Sequence, residues 1–179
     1  MSNTSIEYDE IINSAKDIFI KKSADYGTSW RVLRPISVVD QIYIKARRIR
    51  MIQDGVQKIN EGVASEFAGI INYAVIGLIQ LELEQKGDTN ESLDVAVVKA
   101  EYEEKVRQTK SLMLDKNHDY GEAWRNMSQE SFADLILMKL HRMKQIIKNE
   151  GKTIISEGLD ANYMDILNYA VFALIMQKK

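Results

Sequence analysis

Cysteine is absent from this chain, and proline and histidine nearly so, with one Pro and two His in 179 residues. Without a thiol there is no disulfide framework, no thiolate nucleophile and no cysteine-ligated zinc. With two imidazoles, any bound metal must be held by carboxylates. Charge of one sign is also lacking. A formal net charge of -2 offers no basic field for nucleic acid or an anionic membrane, so direct contact with DNA is not expected. The most apolar stretches, 67–83 and 163–176, contain Asn72, Gln80 and Asn168 and read as buried helices rather than membrane spans. Residues 1–10 are polar and acidic, without the basic start and apolar run of a secretory signal, and the expected location is the cytoplasm. What remains is 45% hydrophobic and 28% charged, a balance that suits a globular domain with a core of its own.

The chain repeats itself. A shift of 94 positions, from Asp25 to Asp119, carries Asp25-Tyr26-Gly27-x-x-Trp30-Arg31 onto Asp119-Tyr120-Gly121-x-x-Trp124-Arg125. It also carries Tyr8 onto Tyr102, Lys22 onto Lys116, Asp40 onto Asp134, Lys45 onto Lys139, Arg48 onto Arg142 and Lys58 onto Lys152. After two extra residues in the second copy, Glu61-Gly62 meets Glu157-Gly158 and Asn72-Tyr73-Ala74-Val75 meets Asn168-Tyr169-Ala170-Val171. Collinear identity on this scale is the signature of duplication. The units are residues 1–86 and 93–179, joined by a linker at 87–92 and expected to pack as one domain.

Each unit reads as three helices, with no strand signal. The first covers about 5–22, with Ile11, Ile12, Ala15, Ile18 and Phe19 on one stripe, and Asp25-Tyr26-Gly27 stops it. Pro35 keeps the next segment out of helix until Ser37, which with Asp40 resembles a capping box, as Ser131 does with Asp134. The second helix carries Ile42, Ala46, Ile49, Ile52 and Val56 on its apolar side and ends near Glu61-Gly62. The third, from about Phe67 to Leu81, is apolar nearly all round and belongs at the centre. The fold class is therefore all-α, a tandem duplication giving one six-helix bundle.

Three groups of residues could carry chemistry. The first is the repeated loop, where Tyr26, Trp30, Tyr120 and Trp124 can stack on a flat base while Asp25, Arg31, Asp119 and Arg125 orient its polar edges. Packing of the tryptophans between helices, with the aspartates capping amides, explains the same residues. The second is the basic face of helix two: Lys45 with Arg48, and Lys139 with Arg142, lie three apart and can meet phosphate oxygens. Solvated surface charge is the plainer account. The third is Glu157, Asp160 and Asp165, oxygen donors of the type that suits Mg2+ or Mn2+. Gly69 stands in the first copy where Asp165 stands in the second, so the copies differ in metal-binding capacity and any chemistry is expected in the second. Glu7-x-x-Glu10 and Glu101-x-x-Glu104 fit the helix dipole. Asn72 and Asn168, mid-helix in apolar surroundings, need hydrogen-bond partners and read as structural.

The Lys-x-x-Asp-Tyr-Gly loop, the basic helix after it, and Glu157-x7-Asp165-x-x-Asn168-Tyr169-Ala170 together resemble the nucleotide modification associated domain 1 family, a former domain of unknown function, over both copies. That family is in turn similar to the all-helical MazG-like nucleoside triphosphate pyrophosphohydrolases, which set Glu-x-x-Glu and Glu-x-x-Asp around magnesium. The resemblance implies a MazG-like pseudo-dimeric bundle that takes a small-molecule nucleotide, in the enzyme reading a modified or non-standard one cleaved between its alpha and beta phosphates, and it leaves a further homodimer open. It implies Glu157 and Asp165 as catalytic, metal-side carboxylates, and Lys22, Lys116, Asp119, Tyr120 and Trp124 as substrate-side residues. The departures are Ala161, where phage-like members tend to have Asp, and 132–148, which offers only Asp134 where a pyrophosphohydrolase has a glutamate pair. Either Glu101 and Glu104 supply the missing ligands, or this branch binds a nucleotide without hydrolysing it. A non-catalytic helical binding or scaffold module is the alternative.

Overall fold

In the computed structural model residues 3–55 and 62–179 are described. Val56, Lys58 and Glu61, assigned above to the second helix, its end and the repeat match, lie outside them. The described residues form six α-helices and no strand: α1 (Asn3–Tyr26), α2 (Pro35–Gln53), α3 (Val63–Gln85), α4 (Val95–Tyr120), α5 (Gln129–Lys148) and α6 (Leu159–Gln177). Short 3-10 turns at Ser29–Val32 and Ala123–Asn126 carry the two tryptophans.

The helix ends follow local chemistry. α1 continues a turn past its expected end to Tyr26 and stops at Gly27, whose φ of 65° is left-handed and cheap only for glycine. α2 starts at Pro35, not Ser37, because a proline at the first helical position has its φ already set and needs no amide donor. The expected capping boxes are not formed: neither α2 nor α5 has a side-chain cap. Asp40 and Asp134 instead reach the other repeat, where Lys144 lies 3.5 Å from Asp40 and Arg50 lies 2.8 Å from Asp134. Among the described residues, only the start of α4 is capped as the residue types suggest, by Asp94 accepting from the Ala96 amide at 2.8 Å.

Four helices make the centre: α3 lies along α6, α2 packs on α3, α5 on α6, and α2 on α5. By length and composition α3 could cross a membrane; here Phe67, Ile70, Ile71, Ala74, Val75 and Ile79 are buried in the common core. Gly77 permits the closest approach. A Cβ there would lie 2.3 Å from Cζ of Tyr163, so only glycine leaves room for the ring on α6. The outer helices cross over, α1 touching α6 and α4 touching α3. Tyr8 on α1 donates to Asn168 Oδ1 at 2.8 Å, and Tyr102 on α4 donates to Asn72 Oδ1 at 2.7 Å. Asn72 in turn donates to the Ala15 carbonyl and Asn168 to the Thr109 carbonyl. Burial raises the pKa of both phenols and keeps them neutral donors. The same three-residue pattern occurs twice, related as the sequence repeat is.

Candidate functional site

Between α1, α2 and α3 of the first repeat lies a cleft of about 630 Å³. Its wall includes Lys22, Tyr26 and Gly27 from the end of α1, Trp30 from the 3-10 turn, Gln41 and Lys45 from α2, and Ser65, Glu66, Gly69, Tyr73 and Ile76 from α3. Ile18, assigned to the buried stripe, is 42% exposed because it also faces this cleft. Trp30 is 8% exposed, and its Nε1 is buried with no hydrogen-bond partner among the described residues. A buried donor left unpaired costs free energy unless something accepts from it, which makes it a marked feature of the wall.

The cleft wall carries two lysines against one carboxylate. Glu66, itself 6% exposed, takes a hydrogen bond from Arg48 at 2.9 Å and has Lys45 Nζ at 3.8 Å. Lys45 Nζ also lies 5.8 Å above the Tyr73 ring, a cation–π distance. Its stem covers Gly69, where a Cβ would meet Lys45 Cε at 2.9 Å. Lys22 is exposed at the mouth, and no carboxylate of the described residues pairs with it.

The corresponding place in the second repeat holds only about 150 Å³. Asp165 fills it from α6, with Lys116 Nζ at 2.8 Å on one oxygen and Lys139 Nζ at 2.9 Å on the other. These lysines are the counterparts of Lys22 and Lys45. Burial pulls the Lys116 ammonium down, but the Asp165 hydrogen bond and charge, with Glu157 adding, carry its pKa above the usual lysine value. Trp124 is 7% exposed; its Nε1 donates to Asn117 at 3.3 Å, and its ring is stacked on Phe172, 4.2 Å between centroids and 4° from parallel. Ile76 is the first repeat's counterpart of Phe172, and Ser23 that of Asn117. Trp124 thus has partners for both ring and N–H, while Trp30, packed in the core beside Phe19, has none for its N–H among the described residues.

Several expected site residues sit elsewhere. Arg31 is clamped on the linker by the Asp88 and Asn90 carbonyls at 2.9 and 2.8 Å, and also reaches Gln80. Arg125 grips the start of α1 through Glu7 at 2.5 Å and Thr4 at 2.7 Å, over the Trp124 ring. Arg125 ties the two repeats together and Arg31 ties the first repeat to the linker, roles a loop motif alone does not reveal. Asp25 and Asp119 are exposed in the last turns of α1 and α4 and line neither cleft, Asp119 lying 3.2 Å from His118. Arg142 is exposed and touches Met138. Tyr120 lines the small cleft but is 79% exposed.

The carboxylates read as metal ligands are not gathered. Glu157 and Asp160 are exposed, Asp165 is neutralised by two lysines, and among the described residues no three Asp, Glu or His side chains could share an ion. Glu101 and Glu104 do not complete a cluster, since Glu101 faces Lys105 and Glu82 while Glu104 is taken by Arg107.

Residues 22–81 and 116–176 match the family described as Nucleotide modification associated domain 1. The two matched segments begin on equivalent lysines, Lys22 and Lys116, and each holds one of the two clefts. No curated protein and no solved structure matches the chain.

Proposed function

The chain belongs to the nucleotide modification associated domain 1 family, and on that premise we propose that it binds a nucleotide in the open cleft of its first repeat. The observation that carries this reading is Trp30, which lines a cleft of about 630 Å³ with lysines at its edge and whose buried indole N–H has no partner among the described residues. Small-molecule sites commonly measure roughly 300–1,000 Å³ and combine aromatic walls with a few polar groups. Trp30, Tyr73 and Ile76 supply apolar and aromatic surface for a base. Lys22 and Lys45 supply point charges for phosphate, and Glu66 supplies an acceptor for sugar or base donors.

Binding without hydrolysis is the form the geometry favours. A pyrophosphohydrolase needs Mg2+ or Mn2+ to neutralise phosphates and activate water, and the donor set of the described residues does not fit one: Asp165 is held by two lysines, and Glu66 faces Arg48 and Lys45.

Calorimetric titration with nucleoside mono-, di- and triphosphates, with and without magnesium, tests this. Lys22→Ala and Trp30→Phe should each weaken binding about tenfold, the equivalent of about 1.4 kcal/mol, while Arg142→Ala leaves it unchanged. Wild-type heats equal to dilution would contradict the reading.

A further inference from the structure

Two of the positions at which the two clefts differ face the same space. Gly69 in α3 corresponds to Asp165 in α6, and Ile76 to Phe172. In the second repeat the carboxylate sits between two lysine ammoniums and the phenyl ring lies parallel on the tryptophan. An anion held by two lysines and a flat ring stacked on an indole are the contacts a nucleotide would make. The two groups are seven residues apart on one helix, about 10 Å along its axis, the reach of a single base–sugar–phosphate unit.

We propose that the second cleft is a ligand site filled by the protein's own side chains, Asp165 standing at the phosphate position and Phe172 at the base position. By the same comparison, the ligand of the open first cleft is a nucleoside monophosphate. The second half of this rests on the function proposed above; the first half does not. Lys22 and Lys45 repeat the pair that one carboxylate neutralises in the second repeat, and Glu66 already draws on Lys45. That leaves charge for one phosphate, not three. The chain therefore has one working site, and its second copy is a built-in image of the occupied state.

Two variants test this, with thermal unfolding and binding stoichiometry as readouts. Asp165→Gly leaves Lys116 and Lys139 facing each other and should lower the Tm by several degrees. Millimolar inorganic phosphate should restore it beyond both its effect on the wild type and the effect of chloride at equal ionic strength. Gly69→Asp copies the second cleft into the first: the end of Lys45 must shift, and the new carboxylate then takes Lys22 and Lys45. It should stay folded and lose nucleotide binding, where the wild type takes up one equivalent of monophosphate at least tenfold more tightly than triphosphate. A folded Gly69→Asp variant that still binds, or an Asp165→Gly variant stabilised by phosphate no more than the wild type, would overturn the proposal. Tighter triphosphate binding would overturn the monophosphate assignment. If the wild type bound no nucleotide while Asp165→Gly still responded to phosphate, the nucleotide reading would fall and the anion position of Asp165 would stand. Should Asp165→Gly not fold, Gly69→Asp decides alone.

Discussion

A buried asparagine amide offers two N–H donors and a carbonyl oxygen with two lone pairs, and each one left unmatched away from water costs free energy. Asn72 and Asn168 solve this identically, donating to a carbonyl of their own repeat's first helix and accepting from a tyrosine of the other repeat. The sequence marks these positions as needing partners without saying which. The partners lie 160 residues apart for Tyr8 and Asn168, and no local pattern reports such a pairing. Tyr102→Phe strips the donor from Asn72 while keeping the ring. It should cost about 1–3 kcal/mol, read as a lower urea midpoint at unchanged slope. Tyr8→Phe should cost a similar amount, since its bond is the symmetry mate. A neutral result for both would mean that the outer helices are held by apolar contact alone.

Among the elements, the helices themselves were legible and their mutual placement was not. Period 3.6 and the all-round apolarity of α3 and α6 gave six helices and a centre, because burial acts directly on residue type. Ser37 and Ser131 have the residue types of a cap without forming one, and Asp40 and Asp134 pair instead with Lys144 and Arg50, respectively, of the other repeat. Ile18 was read as core, since a stripe does not show where a cleft interrupts it. The Gly69–Asp165 difference was visible in the sequence, but its meaning was not: an aspartate opposite two lysines is an ion pair, whereas one beside other carboxylates is a metal ligand, and only the fold distinguishes them. The crossing of α3 with α6 gives the sharpest prediction at this scale. Gly77→Ala places a methyl 2.3 Å from Tyr163 Cζ and should destabilise by about 1–3 kcal/mol through overpacking. Adding Tyr163→Leu should recover most of the loss in the same unfolding measurement. Failure of that rescue would mean that the ring is not the obstacle.

At the scale of the whole molecule, duplication and divergence explain one another. Crossed outer helices mean that neither repeat completes its polar pairing alone: Tyr8 needs Asn168, Arg125 needs Glu7, and Arg31 needs the linker. The ties keep both copies in place, which leaves one cleft free to change. The first has room where Gly69, Ile76 and Ser23 stand, and the second is filled where Asp165, Phe172 and Asn117 stand. The two tryptophans record the outcome, one beside an open cleft with its buried indole N–H unpaired among the described residues and the other bonded and stacked. They also provide the most direct test. In nitrogen-15-labelled protein the two indole N–H signals can be assigned with Trp124→Phe and followed during titration with a nucleoside monophosphate. The Trp30 signal should move to saturation at one equivalent while the Trp124 signal stays in place. Movement of Trp124 alone, or of neither, would contradict the account.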